Sequence, residues 1–113
     1  MGESKRICVD FDDTLCMRDE TVAPHAREVL KLLKDSGHEI YVLSSRFNPK
    51  IWGDLVEKRM EKVSDWLQAN GLAYDKVVAY KPAADIYIDD KALRFEGDWN
   101  QTLEEMKKIL RLS

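Results

Sequence analysis

A doubly wound parallel α/β sheet of about four or five strands, with helices on both faces, is the fold this sequence predicts. Three observations carry that prediction. Short apolar runs, beginning with Ile7-Cys8-Val9, alternate along the chain with amphipathic helical stretches, the order that builds a Rossmann-like sheet from successive βαβ units. The first run is apolar at consecutive positions, as a strand buried on both faces requires. Each strand run also leads into polar or charged residues, which is where open parallel sheets place their ligand crevice.

The elements follow in order. Residues 5–11 form the first predicted strand. Residues 15–23 have no helical period and read as a short excursion over the end of that strand. Pro24 suits a first helical turn, and Ala26, Val29, Leu30 and Leu33 then share one helical face. Gly37 ends this helix in the usual position just past the last turn. Residues 39–43 are the second strand, running into Ser44-Ser45-Arg46. Asn48-Pro49 reads as a cap and a first-turn proline. Trp52, Val56, Met60, Val63 and Leu67 continue that helix to Asn70-Gly71. Residues 76–79 and 86–88 are the third and fourth strands, and 92–95 a short edge strand before Gly97. Thr102-Leu103-Glu104-Glu105 reads as a capping box for a final helix with Leu103, Met106 and Leu110 inward. No repeat, low-complexity tract or linker interrupts this pattern, so residues 1–113 read as one domain.

Composition narrows the class. The chain is 44% hydrophobic and 35% charged, an ordinary globular balance somewhat rich in charge. No apolar stretch approaches the roughly 20 residues of a membrane-spanning helix. The polar start, 1–6, leads straight into a strand and predicts no signal peptide. Cys8 and Cys16 lack the spacing of a zinc site or a disulfide framework. They read as packing or near-site thiols, and the expected compartment is a reducing cytoplasm. A net charge of −3 gives no global basic field for nucleic acid.

Asp10-Phe11-Asp12-Asp13-Thr14 carries the chemistry. Period-2 alternation would put Asp10 and Asp12 on one face of a strand end. Like charges ~4 Å apart repel by about 4 kcal/mol even at an effective dielectric near 20. A divalent cation is the natural relief; the plain alternative is an Asp-rich turn after a strand. The other strand ends add Ser44, Lys81, Asp89 and Asp90. In a parallel sheet these ends point the same way, so acids, a hydroxyl and an ammonium should converge in one crevice.

With those residues in that order, the chain resembles the haloacid dehalogenase superfamily of phosphotransferases. Its four signatures are Asp-Phe-Asp-Asp-Thr, Ser44, Lys81 and Asp89-Asp90, and the likeness covers residues 5–91. The resemblance implies a catalytic set of Asp10, Asp12, Ser44 and Lys81. Asp10 would be the nucleophile and Asp12 the acid and base. Halide departure needs no proton, so that second acid points to phosphate transfer. Asp10, Asp12 through its carbonyl, Asp89 and Asp90 would hold magnesium, a hard cation that takes oxygen ligands. Ser44 would donate to a phosphate oxygen and Lys81 would offset charge. Thr14 reads as fixing the turn.

Ser45 and Arg46 are the candidate substrate-binding residues, with Lys50 beside them and Lys91 and Arg94 as weaker candidates. His25 and His38 read as surface or capping residues. Too few residues follow either of the first two strands to build a cap domain, so a small capless phosphatase is implied. The expected substrate is a phosphorylated small molecule (a sugar phosphate or nucleotide) or a phosphorylated polymer end. A second copy of the chain is a possible cover for so open a crevice. Two other classes remain: a non-catalytic phosphate-binding or regulatory module, and a receiver-like phospho-acceptor domain. The receiver reading needs its acceptor at a central strand end, whereas Asp54 falls in a helical pattern.

Overall fold

The computed structural model describes residues 3–44 and 55–111. Its elements are β1 (Arg6–Asp10), α1 (Ala26–Asp35), β2 (Glu39–Leu43), α2 (Val56–Ala69), β3 (Lys76–Val78), β4 (Ile86–Ile88) and α3 (Trp99–Leu110). The four strands form one all-parallel sheet in the order β3-β2-β1-β4. The expected parallel α/β sheet without a cap is therefore the observed fold. Among the described residues, no helix is long and apolar enough to cross a membrane.

Register sorts the side chains into two faces. Ile7 pairs with Ile40 and Ile86, and Val9 with Val42 and Ile88. With Val77 these residues make one apolar face, since paired positions share a side. Leu30 of α1 and Val63 and Leu67 of α2 are buried against it in one core. Both helices lie on this face because β1 to β2 and β2 to β3 step in the same direction, and right-handed crossovers then stay on one side. The step from β3 to β4 reverses direction and takes the other face, that of Cys8, Asp10, Tyr41 and Tyr87. Residues 79–85 make that crossover with no helix, being too short for one and holding Pro82. The second face is thus thinly covered, and Tyr87 stays 44% exposed.

Both core helices end in the same device. At the end of α1 the Gly37 amide donates to the Lys34 carbonyl and the His38 amide to the Leu33 carbonyl, with φ +89° at Gly37. At the end of α2 the Gly71 amide donates to Gln68 and the Leu72 amide to Leu67, with φ +68° at Gly71. This is the double bond pattern of a Schellman closure, which needs a left-handed residue and favours glycine. Leu67 and Leu72 are both buried, supplying the apolar contact that accompanies it.

Two expectations need correction. Residues 92–95 form no strand; no described strand lies beyond β4 to pair with them. The last helix starts earlier than a capping box at Thr102 would place it. Asp98, in extended backbone, accepts from the Asn100 amide and caps α3, while the Thr102 hydroxyl donates to the Asp98 carbonyl from inside the helix. Thr102 turns inward, and Leu103 and Leu110 are exposed. The predicted helix start at Asn48, Pro49 and Trp52 lies outside the described residues.

Candidate active site

Strand order fixes where the site can be. The chain leaves β1 in one direction and returns to its other side at β4, so the switch point lies between the carboxyl ends of these two strands. One step beyond the Val9–Ile88 pair stand Asp10 and Asp89. One carboxylate oxygen from each of Asp10, Asp89 and Asp90 lies within 4.8 Å of the other two. They open on a crevice of about 600 Å³ that Asp12, Asp13, Ser44 and Lys91 also line.

The loop after β1 is folded tightly to aim its acids. The Phe11 amide donates to the Leu43 carbonyl, the Leu15 and Cys16 amides return to the Phe11 carbonyl, and the Asp13 amide reaches the Cys16 carbonyl. Asp13 sits at φ +60°, a left-handed conformation that Asp tolerates better than most residues. Phe11 is buried edge-on against Trp66 and anchors the loop from the core side. Asp12 is thereby turned towards β2, where the fully buried Ser44 donates its hydroxyl to Asp12 Oδ2 at 3.0 Å. The Thr14 hydroxyl is buried without a hydrogen-bond partner among the described residues, so the expectation that it fixes the turn is not met by any bond of its own there.

Electrostatics follow from this crowding. Burial, and then the charges of Asp89 and Asp12, push the Asp10 carboxyl up to about 6; the Phe11 amide pulls the other way and loses. Asp90 goes in the opposite direction. The Lys91 ammonium lies 2.9 Å from its Oδ2 and holds it below the ordinary carboxylate range. Asp89 accepts from the Lys91 amide at 2.7 Å, which fixes its rotamer.

Lys81 is placed differently from the expectation that it joins the acids. Its ammonium lies over the Tyr87 ring, 4.5 Å from the centroid, on the face of the sheet that carries Asp10. There it offsets the effect of burial and of Asp10 on the Cys8 thiol, whose net shift is still upward. Among the described residues, Lys91 is the cation that lines the acidic crevice. The reason is the bare 79–85 crossover, which leaves Lys81 no helix to project it forward. Ser45, Arg46 and Lys50 lie outside the described residues. Cys8 and Cys16 are buried thiols, and His38 accepts from the Lys5 amide, far from the crevice.

The residues fit a magnesium ion. Three carboxylates converge with only oxygen donors, and the charge on Asp10 is disfavoured without a positive partner. That donor chemistry is what a hard divalent cation takes.

The chain belongs to the haloacid dehalogenase-like hydrolases, the family whose model matches residues 7–93. That span runs from the start of β1 past Asp89 and Asp90, so it takes in the whole described crevice. No curated protein and no solved structure matches the chain.

Proposed function

We propose that this hydrolase is a magnesium-dependent phosphomonoesterase working through a phosphorylated aspartate. The observation that supports the reading best is the meeting of Asp10, Asp89 and Asp90 at the switch point, with Asp12 two residues beyond the first of them.

In this reading Asp10 attacks the phosphorus atom. Its new P–O bond forms as the ester P–O bond breaks, and Asp12 delivers a proton to the departing oxygen. Asp12 then takes a proton from water as that water attacks phosphorus. Inorganic phosphate leaves and Asp10 is restored. Ser44, which holds Asp12 through its hydroxyl, would turn that donor to a phosphate oxygen when substrate arrives. Magnesium held by Asp10, Asp89, Asp90 and the Asp12 carbonyl would neutralise phosphoryl charge. Lys91 keeps Asp90 ionised. Lys81 reaches the phosphoryl group by leaving Tyr87, a contact worth only about 0.5–1 kcal/mol at an exposed site. Arg46 and Ser45 would grip the far side of the substrate, a phosphorylated small molecule or polymer end.

The test is release of inorganic phosphate from a panel of monoesters, with magnesium and with chelator. The expected result is turnover that chelator abolishes. Asp12→Asn should lower turnover by at least about 10²-fold, with labelled phosphate accumulating on the protein when the second step suffers more. Release that ignores chelator, or an Asp12→Asn protein of undiminished rate, would overturn the mechanism.

A further inference from the structure

A second cavity, of about 490 Å³, lies against the outer side of β4 and shares one wall with the acidic crevice. That wall is Asp89, which lines both spaces. Lys81, Tyr87, Leu93 and Arg94 line the rest that matters here. We propose that this cavity is a subsite for a second phosphate-type group carried by the leaving group of the substrate. The inference rests on the phosphatase reading and names the substrate class for that same site: bisphosphates.

The cavity holds two cations and two carboxylates, and the cations are the groups that would hold an anion there. Its two acids are already engaged with backbone amides. Asp85 Oδ2 accepts from the Arg6 amide at 2.8 Å, and Asp89 Oδ1 from the Lys91 amide at 2.7 Å. Its two cations are engaged by no acid among the described residues. Lys81 has only the Tyr87 ring beneath it, and Arg94 has neither hydrogen bond nor ion pair there. A guanidinium presents a planar fork of donors that matches phosphate geometry, and Leu93 and Tyr87 give the body of a leaving group an apolar floor. The seven-residue crossover that covers this side of the sheet carries no helix, so the cavity stays open to solvent at its outer end. A substrate whose reacting phosphate sits at Asp10 would pass its leaving group over Asp89, with Lys81 at the boundary raising the positive potential on both sides.

The experiment compares each bisphosphate with its own monophosphate, using a hexose pair and a nucleoside pair, all with magnesium. The expected result is a kcat/KM ratio favouring at least one bisphosphate by about ten- to a hundred-fold, the range of a charge-assisted hydrogen bond. The preferred pair identifies the leaving group. Arg94→Ala should collapse that ratio through KM, and Arg94→Lys should restore part of it because charge survives and the fork does not. The Arg94 side chain is exposed and holds no partner among the described residues, so the variants should fold, and a melting curve checks this. A wild-type ratio near one for both pairs would overturn the subsite while leaving the phosphatase reading intact. So would an Arg94→Ala protein that loses mono- and bisphosphate turnover equally. No phosphate release from any substrate would overturn both together.

Discussion

The two ends of this sheet use the same residue type for opposite ends. At the end where the strands begin, acids are satisfied one by one. Asp75 precedes β3 and accepts from the Ile40 amide at 2.7 Å and from the Lys34 ammonium at 2.6 Å. Asp85 precedes β4 and accepts from the Arg6 amide at 2.8 Å. Each returns its own amide to the neighbouring carbonyl, Asp75 to Ile40 and Asp85 to Arg6, so the pair of strands is closed by a two-way clasp. At the end where the strands finish, Asp10, Asp89 and Asp90 face one another. The first end gains stability from its carboxylates; the second loses some to hold charge where a cation and a phosphoryl group can use it.

The largest effect that separates the ends belongs to Asp10→Asn. Turnover should disappear because the amide is no nucleophile, yet the metal-free protein should become more stable at pH 7–8. The sign follows from the shift: burial, Asp89 and Asp12 push the Asp10 carboxyl up to about 6 from the ordinary 3.8, so the folded state binds this proton more tightly than the unfolded chain. Its ionisation therefore costs stability above about 6, and the cost vanishes as pH falls through 6 towards 3.8. The advantage of the variant should be of order 1–2 kcal/mol after allowance for solvent screening. Melting curves in chelator from pH 5 to 8 read it. A variant less stable than wild type at pH 8 would mean that the carboxylate is part of the framework.

Magnesium should relieve the same end by another route. Added to wild type near pH 7, it should raise the melting temperature by an amount equivalent to about 2.7 kcal/mol at a hundred times its dissociation constant. Asp89→Asn should lose most of that shift, since it removes one of the three converging carboxylates. An equal shift in the variant would place the ion elsewhere.

How much of this was legible depends on whether the deciding contact is local. β2 and β4 have the bounds the apolar runs predict, and the glycines at 37 and 71 close their helices as expected, because a strand run and a left-handed cap are written in adjacent residues. The acidic crevice was legible for a related reason: strand ends of a parallel sheet converge whatever the loops do. Three things were hidden. Thr102 and Glu105 match a capping box, but Asp98 was nearer the helix start and captured the cap. The position of Lys81 depends on the path of 79–85 across a face that no local pattern specifies. Lys91 has no strand end or helix pattern that marks it, although its ammonium pairs with Asp90 in the crevice. The clasps at Asp75 and Asp85 carry one local signal: each is an acid immediately before a strand.

That signal yields the smallest expected effect on turnover and the sharpest control. In Asp75, burial would push the carboxyl up, but the hydrogen bonds from Lys34 and the Ile40 amide win and hold it below the ordinary value. A depressed folded pKa contributes stability above the unfolded value and loses it as pH falls through the folded one, the reverse of Asp10. Asp75→Ala should therefore destabilise the protein by about 1–3 kcal/mol at neutral pH, the cost of leaving a donor unmatched. The penalty should shrink in acid, below the ordinary carboxylate range. Phosphate release per folded molecule should not change, because Asp75 touches neither the crevice nor the loop that aims Asp12. Chemical denaturation at pH 7 and pH 3, with a rate measured well below the melting temperature, checks both halves. If turnover fell along with stability, the two ends would be coupled through β2, and the division of labour along the strands would be wrong.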